Sequence, residues 1–256
     1  MAEHATELFF LTPAAGKRLI AKAVCALTEV KRALQLGTVV VLAGTTNCYV
    51  AQEIMVHPLR GGAFDRQHFF RGITLPPATK MPEQAAPFPG DLIIEKGVIQ
   101  KGQTIFDVAP RLGKGDIIIK GANAVDTAHR TAGILVGNPQ LGTSGAILEA
   151  VVGRRAGLIV PVGLEKRVPG DIGQIAAKLD ASSASGLRML PVNVGSIVTE
   201  LEAIRILAGA EAELAAAGGV GGAEGGCWIL VTGTEPQLDI AAKLLKPLVT
   251  EPAFAL

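Results

Sequence analysis

The sequence predicts an α/β fold with a Rossmann-like, open and mostly parallel sheet and helices on both of its faces. Residues 39–43 form a continuous apolar run without polar alternation, which is the pattern of a strand buried on both faces, as parallel strands are. Similar runs alternate with helical stretches further along: strands at 117–119, 133–136 and 158–162, and helices at 144–155 and 172–179. This alternation is typical of a doubly wound sheet.

The first helix is predicted to begin at Thr12-Pro13 and to end before Gly37. Threonine supplies an N-cap oxygen, and proline fits the first helical position because the N–H that it lacks would be unpaired there. Apolar residues then recur at helical spacing from Leu19 to Leu34, and glycine is favoured where a helix ends.

Two segments interrupt the alternation of strands and helices. Residues 55–90 are rich in proline, show little periodicity and carry a basic cluster of His57, Arg60, Arg66, His68 and Arg71. A stretch of this length is either a functional loop or a surface insertion. From residue 187 the order becomes strand, helix, glycine-rich passage, strand and helix, which favours a small α+β unit. The sequence thus predicts a core at 1–186, with the insertion at 55–90, and a subdomain at 187–256.

Charge and composition argue against several classes of protein. The formal net charge is +1 without a basic block, so nothing electrostatic favours a nucleic-acid partner. No apolar run approaches the length of a membrane span, and the amino terminus lacks a secretory pattern. The three cysteines and four histidines show neither disulfide nor metal-ligand spacing. We therefore expect a cytoplasmic protein without a metal or another cofactor.

The strand–loop–helix segment at 38–54 carries the clearest signal for a site. A buried strand ends before Gly44, and Gly44, Thr45, Thr46 and Asn47 lead directly into a helix. Unpaired backbone N–H groups and the helix dipole meet at such a point, and hydroxyl groups add donors. The segment therefore predicts an anion site, most simply for a phosphate group. The alternative is that Thr46 or Asn47 only caps the helix.

Three later segments place polar groups after predicted strands, where the ligands of α/β sheets bind. They contain the candidates Lys120, Asn123 and Asp126, then Gly142, Thr143 and Ser144 with Glu149 on the following helix, and finally Lys166. A lysine at such a place is able to meet a phosphate as a point charge. A simpler interpretation makes Asn123 and Asp126 turn residues that bond their own backbone, and Glu149 and Lys166 exposed side chains.

In their order along the chain these segments resemble the ribose-5-phosphate isomerase A family, within the larger group that also holds glucosamine-6-phosphate deaminases, CoA transferases and DeoR-type effector domains. Residues 43–46 (AGTT) stand where the family has a Gly-Thr-Gly-Ser-Thr phosphate loop, and residues 120–126 (KGANAVD) look like its NGADEID segment. Residues 142–149 look like its glycine-rich turn and following Glu, and Lys166 falls on the Lys of its D-x-S-K motif. The tail from residue 190 is similar to its ferredoxin-like lid.

The resemblance implies a proton transfer between adjacent sugar carbons through an enediolate, with Glu149 as the base and Asp126 handling oxygen-bound protons. The chain departs from the family pattern where Ala43 replaces a Thr, Asn123 replaces a second Asp and Gln140 replaces a Lys. The loss of a catalytic acid slows an enzymatic reaction by about two or more orders of magnitude, and so does the loss of a stabilising cation.

Three functions therefore remain open from the sequence. One is a divergent isomerase-like enzyme for a phosphorylated or acyl substrate, with Asp126, Glu149 and Lys166 in its site. Another is a non-catalytic ligand-binding or sensor protein that keeps the phosphate loop. The third is a CoA transferase-like enzyme with Glu224 as its nucleophile. In each, the expected partner is an anionic small molecule, and related folds are commonly homo-oligomers.

Overall fold

The computed structural model describes residues 4–56, 64, 66–71, 74, 90–181 and 186–254. Most of the predicted insertion at 55–90, including His57 and Arg60, lies outside the described residues.

Strands and helices follow one another along the described residues in this order: β1 (Ala5–Leu11), α1 (Pro13–Ala26), α2 (Thr28–Leu36), β2 (Thr38–Val41), α3 (Asn47–Met55), β3 (Leu92–Glu95), β4 (Val98–Ile99), α4 (Ile105–Val108), β5 (Ile117–Ile119), β6 (Ala124–Asp126), β7 (Thr131–Val136), α5 (Thr143–Leu148), β8 (Gly157–Pro161), α6 (Ile172–Ala181), β9 (Arg188–Val192), β10 (Ser196–Val198), α7 (Glu200–Ala208), β11 (Glu211–Ala217), β12 (Cys227–Gly233) and α8 (Glu235–Leu245). A π-helix, Glu149–Gly153, continues α5, and 3-10 turns occupy Arg66–His68, Ala109–Arg111, Leu164–Lys166 and Lys246–Thr250.

A six-stranded mixed sheet lies at the centre, in the order β10-β8-β5-β2-β3-β4. The neighbours β10, β8, β5 and β2 are parallel, whereas β3 and β4 run antiparallel to the strands beside them. The chain leaves β2 toward β3 on one side and returns to β5 on the other, so the direction of winding reverses between β2 and β5. The α/β class is thus confirmed.

Alternate residues of the central strands pack into two separate cores, one on each face of the sheet. Val39 and Ile119 face a core built with α1, α2, α3, α7 and α8, whereas Val40 and Ile118 face one built with α4, α5 and the strands β7 and β9. Because both faces are covered, neither side of the strand needs polar residues. The continuous apolar runs at 39–43, 117–119 and 158–162 have this physical origin.

Two three-stranded antiparallel sheets flank the central one, in the orders β1-β12-β11 and β6-β7-β9. Strands from both sides of the predicted boundary at residue 187 pair with each other: β9 with β7, β10 with β8, and β12 with β1. Three strand pairs therefore join residues before 187 to residues after it. The apolar run at 133–136 was predicted as a strand of the parallel sheet, and this was wrong, because β7 pairs antiparallel with β6 and β9.

The first predicted helix begins as expected but is interrupted. Thr12 Oγ1 accepts a hydrogen bond from Ala15 N at 3.2 Å, and proline occupies the first turn. Leu27 then adopts an extended conformation (ψ 134°), which ends α1 and starts α2 one residue later. The second helix ends at Gly37 as predicted. The helix predicted at 144–155 is α5 followed by the π-helix.

No helix among the described residues combines the length and the apolar character that crossing a membrane requires.

Gly195, in the turn between β9 and β10, gives a test of how β10 joins the central sheet. Its φ is +81°, and a Cβ there would overlap the carbonyl oxygen of Leu158 in β8. Gly102 has a similar φ of +74°, but a Cβ would meet no atom within 4 Å. We expect Gly102→Ala to lower the free energy of unfolding by about 1–2 kcal/mol from backbone strain alone. Gly195→Ala should lower it by about 2–4 kcal/mol, because the overlap adds to the strain.

Urea unfolding of the two variants measures the difference. Equal losses of stability would contradict the close approach of this turn to β8.

Candidate functional site

Four strands of the central sheet end at one edge because they are parallel, and we call this edge the carboxyl edge. The segments that follow these strands are 42–46 after β2, 120–121 after β5, 162–166 after β8 and 199–200 after β10. Ligands of open α/β sheets bind at this edge, where the order of strands reverses. In this chain the reversal lies between β2 and β5.

Asn47 holds the strand ends together at the reversal. Its side-chain nitrogen donates to the carbonyl oxygens of Leu42, at 2.8 Å, and Ile119, at 3.1 Å. The residue is only 1% exposed, and its Oδ1 faces the backbone of Gly121 without a hydrogen-bond partner in the described residues. Asn47, predicted to bind phosphate, therefore uses both amide hydrogens to connect β2 with β5.

The loop before α3 leaves its backbone open toward the carboxyl edge. Within the described residues, a Cβ added to Gly44 would meet only the carbonyl oxygen of Leu42, at 4.0 Å. Neither Thr45 nor Thr46 caps the helix through its hydroxyl group, since Thr46 is the N-cap residue and makes no side-chain cap bond. Instead, Thr46 Oγ1 accepts a hydrogen bond from Lys166 Nζ at 3.1 Å.

Lys166 reaches this loop from the turn after β8. Its Nζ lies 3.9 Å from Glu165 Oε1, and 24% of the side chain is exposed. Burial lowers the pKa of Lys166, an effect that Glu165 opposes and Lys17 reinforces. Thr46 and Lys166, 120 residues apart in the chain, are thus brought together as the prediction of a shared site requires.

Lys120 follows β5 and is partly buried on the other face of the sheet. Its ammonium makes no hydrogen bond or ion pair in the part of the chain that the structure describes. Burial lowers the pKa of Lys120, Asp91 opposes this effect, and Arg71 and Lys166 add to it.

Asp91 is the carboxylate nearest to Lys120 in electrostatic terms, but its oxygens are occupied. Oδ1 accepts from Ala43 N at 3.0 Å and pairs with Arg71 at 3.2 Å, and Oδ2 accepts from Ile105 N at 2.8 Å. Asp91 precedes β3, whose antiparallel direction brings it to the carboxyl edge. It connects β2 to the start of α4.

Two carboxylates that the sequence analysis did not select, Glu165 and Glu200, also lie at the carboxyl edge. Glu200 is 3% exposed, and its Oε2 accepts from Leu164 N at 2.9 Å. Burial and the neighbouring Glu165 raise the pKa of Glu200 to about 8. Both oxygens of Glu165 are buried without a hydrogen-bond partner in the described residues, with Lys17 Nζ 3.8 Å from Oε1.

The sequence contains a weak signal for this pair. Glu200 follows Thr199, the N-cap residue of α7, and an acidic residue in a first helical turn ordinarily faces solvent. Here α1 covers it, and Gly16 is the residue that allows the approach, because a Cβ at that position would overlap Glu200 Oε1. Burial of Glu200 is thus a tertiary effect that no local pattern reveals.

Asp126 and Asn123, predicted as site residues, take part in the hairpin of β6 and β7. Asp126 Oδ1 accepts from the backbone N–H groups of Ala128 and His129, and Oδ2 lies 2.7 Å from His129 Nδ1. Burial raises the pKa of Asp126, but the hydrogen bonds from His129 and Ala128 outweigh it and lower the pKa. Asn123 Oδ1 accepts from Leu135 N. Asp126 thus matches the alternative interpretation as a turn residue, whereas Asn123 connects to the backbone of β7 and matches neither interpretation.

Glu149 and the residues before α5 are placed separately from Thr46 and Lys166. The Glu149 side chain is 51% exposed and lies 3.4 Å from Arg154 Nε. Gly142 is the N-cap residue of α5 with φ +53°, and Thr143 begins the helix. Ser144 is buried and shares a cavity with Lys120. Neither Asp126 nor Glu149 has a hydrogen bond or ion pair to Thr46, Lys120 or Lys166 among the described residues.

The described basic residues of the 55–90 segment have structural partners. Arg66 lies over the Tyr49 ring at 4.5 Å and pairs with Glu251 at 2.8 Å. Arg18 pairs with the same carboxylate at 3.0 Å. These contacts connect α1 and α3 to the carboxyl-terminal segment. Arg71 pairs with Asp91, as described above.

Glu224, considered above as a nucleophile, lies in the exposed loop between β11 and β12. Its Oε2 accepts from Gly222 N at 2.8 Å. Backbone hydrogen bonds within this loop lower the pKa of Glu224. Within the described residues, no group of three or more His, Cys, Asp and Glu side chains is arranged to hold a metal ion.

No protein-family model matches the chain, and no curated protein or solved structure is significantly similar to it. Function must therefore be inferred from the carboxyl edge itself.

The raised pKa of Glu200 predicts how stability depends on pH. Between the pKa of an unfolded glutamate, about 4.5, and the folded value of about 8, the native state binds the proton more tightly than the unfolded state. The free energy of unfolding contributed by this group therefore falls as pH rises through that window, by up to about 1 kcal/mol per pH unit. Glu200→Gln should remove this fall, whereas Glu213→Gln, on the exposed side of β11, should keep it.

Urea titrations at pH 5, 6.5 and 8 supply the measurement. If the free energy of unfolding of the wild type changes with pH in the same way as that of Glu200→Gln, Glu200 is not protonated in the native state as described.

Proposed function

We propose that the carboxyl edge binds an anionic small molecule, most simply through the phosphate group of a phosphorylated metabolite. The observation that carries this proposal is the convergence of Lys166, Thr46 and the amino terminus of α3 beside the reversal between β2 and β5. Lys120 adds a second positive charge at the same edge.

The order of strands supports this location. When the six central strands are numbered in chain order, the sheet reads 3-2-1-4-5-6 across its width, with the reversal between strands 1 and 4. This is the order of Rossmann sheets, which bind phosphate-containing ligands at that point. The two antiparallel strands β3 and β4 depart from the all-parallel arrangement, but they lie on the far side of β2.

The chemistry of the loop also favours an anion. At the start of the nine-residue helix α3, Cys48 N and Tyr49 N already donate to the carbonyl oxygens of Gly44 and Thr46. The N–H groups of Thr45, Thr46 and Asn47 have no acceptor among the described residues, and the helix dipole adds partial positive charge beside them. Lys166 is desolvated by burial, and its nearby negative groups are Glu165, at 3.9 Å, and the buried Glu200. A bound phosphate would add counter-charge to this partly paired ammonium. A charge that is buried without full pairing is costly, and a ligand that pairs with it lowers this cost.

The resemblance to ribose-5-phosphate isomerases supports only one part of this proposal, the anion site. The placement of the loop at 44–46 and of Lys166 supports a common anion site. The placement of Asp126 in a turn and of Glu149 beside Arg154 gives no support to the acid–base roles that the resemblance implies for them.

The binding proposal is tested with inorganic phosphate, ribose 5-phosphate and other sugar phosphates as probes. At least one phosphate compound should raise the melting temperature of the wild-type chain, because a ligand of the native state stabilises it by mass action. Lys166→Met should weaken that binding by about tenfold or more, since a charge-assisted hydrogen bond contributes roughly 1.5–3 kcal/mol. Lys178→Met, at an exposed position of α6, is the matched control.

Calorimetric titration of the two variants gives the affinities. The proposal fails if no phosphate compound binds, or if both variants bind as tightly as the wild type.

A second candidate function, proton transfer on the bound compound, is favoured by the pair Glu165 and Glu200. We propose Glu200 as the acid, since burial keeps a proton on its carboxyl group near neutral pH. We propose Glu165 as the base, since both of its carboxylate oxygens lack a hydrogen-bond partner in the described residues and it lies beside Glu200. The nearby Lys166 is able to stabilise an oxyanion formed next to them.

Proton transfer is detected as incorporation of solvent deuterium at carbon in a sugar phosphate that binds, followed by proton NMR. The wild type should catalyse this exchange, and Glu200→Gln should lower the rate at least about a hundredfold while the phosphate compound still binds. Glu213→Gln should retain the wild-type rate. Binding without any exchange in the wild type would instead support a non-catalytic ligand-binding protein.

A further inference from the structure

A cavity of about 140 Å³ lies on the other face of the central sheet, beneath the π-helix. Its wall is apolar and includes Ile147 and Val151 from α5 and the π-helix, Leu158 from β8, and Leu190 from β9. Three polar residues, Lys120, Ser144 and Asn193, also line it, and Lys120 is the one that carries a charge. Thr46 and Lys166 do not line the cavity, so it is distinct from the anion site proposed above.

Lys120 is the unusual member of this lining. Its ammonium has no hydrogen bond or ion pair among the described residues. The nearest carboxylate, Asp91, already accepts from Ala43 N and Ile105 N and pairs with Arg71. An amine that is withdrawn from water into an apolar wall is destabilised in its charged form unless an anion joins it.

The π-helix gives the cavity its outer wall. Five residues, Glu149–Gly153, adopt this conformation directly after α5. Such segments are rare and occur frequently at functional sites, because the extra residue in the turn displaces side chains from the regular helical positions. Here Val151 contacts the cavity while its neighbour Ala150 is fully buried in the core.

We propose that this cavity binds a small aliphatic monocarboxylate, with its carboxylate paired to Lys120 and its hydrocarbon chain against the wall beneath the π-helix. The ligand provides the anion that the protein does not, and the apolar lining provides the space for its tail.

The size of the cavity limits the length of the tail. A cavity of about 150 Å³ in another protein holds benzene, so the space here fits an aliphatic acid of about four to six carbons. Ser144, on the first turn of α5, has a hydroxyl group that is able to donate to the second carboxylate oxygen. A dicarboxylate is disfavoured because the far end of the cavity offers no second cation.

The proposal does not depend on phosphate binding at Thr46 and Lys166. Lys166 influences the pKa of Lys120, and Lys120 contributes positive charge at both places. The apolar wall of the cavity and the loop before α3 are nevertheless formed by different side chains, so Val151→Phe and Lys166→Met are the variants that separate the two sites. The two sites can therefore be removed separately.

Calorimetric titration with sodium pentanoate at pH 7 tests the proposal on the full chain. Pentanoate should bind at least tenfold more tightly than acetate, because each additional buried methylene contributes about 0.8 kcal/mol, equivalent to about fourfold. It should also bind at least tenfold more tightly than 1-pentanol, which has the same tail without the charge. Equal affinity for pentanoate and either comparison compound, or no binding of pentanoate, would overturn the proposal.

Two variants locate the site. Lys120→Met, which removes the ammonium and keeps an unbranched side chain, should weaken pentanoate binding at least tenfold, as should Val151→Phe, which fills the cavity from the π-helix. Lys178→Met should bind pentanoate like the wild type. Val151→Phe should retain whatever phosphate binding the wild type shows, so failure at one site is distinguishable from failure at the other.

A second measurement keeps the test independent of how these variants fold. In the wild type, nuclear Overhauser effects should connect the pentanoate methyl group to the methyl groups of Ile147 and Val151. Contacts to methyl groups elsewhere, or undiminished binding by folded Lys120→Met, would contradict the assignment.

Discussion

The side chain of Asn47 is the contact on which the architecture of the carboxyl edge depends. Leu42 N donates to Ile119 O at 3.0 Å as the last backbone hydrogen bond between β2 and β5, and the chain turns away in opposite directions after these two strands. One amide nitrogen satisfies the carbonyls of Leu42 and Ile119 together. Because Asn47 also opens α3, the same residue fixes where that helix begins and points its amino terminus at the space between the strands. A loss of this amide would release the loop that carries Thr45 and Thr46.

The charges around this contact are arranged with few direct pairings. Lys120 has no ion pair in the described residues, both oxygens of Glu165 lack hydrogen-bond partners, and Glu200 is buried beside Glu165. Elsewhere the chain pairs its buried charges closely, as in the contacts of Arg18 and Arg66 with Glu251. Buried charged groups without a full set of partners lower the stability of a protein. In this chain such groups lie at the carboxyl edge, where α/β sheets bind ligands. This contrast is the physical reason for assigning function to the carboxyl edge.

The parts of the fold that follow from burial on both faces could be predicted from the sequence. The runs that form β2, β5 and β8 have no polar alternation, and Thr12 and Gly37 bound the first helical region as capping chemistry requires. The run at 133–136 looks the same but belongs to an antiparallel sheet. Ile134 is buried in a core, whereas Leu135, on the opposite face of β7, is 37% exposed. Short strands such as β4 and β10 are too brief for a periodic signal.

The site was predictable where a residue's role depends on local backbone, and less so where it depends on packing. Gly44, Thr46 and Lys166 are candidates from the sequence alone, because each lies in a turn that directly follows a buried strand. Glu200 was missed because its burial requires α1 to approach through Gly16, far away in the chain. Asp126 and Glu149 are candidates from their place after predicted strands, and only the family pattern gives them acid–base roles, whereas their contacts are those of a turn and of a surface ion pair.

The central claim is that an anion binds between the amino terminus of α3 and Lys166. A crystal grown with tungstate, a heavy analogue of phosphate, tests it directly through anomalous scattering. The account predicts a tungsten peak within hydrogen-bonding reach of the Thr46 loop and Lys166 Nζ, and its loss in Lys166→Met crystals. A wild-type crystal at saturating tungstate with no peak there, or with peaks only at other surfaces, would contradict the account.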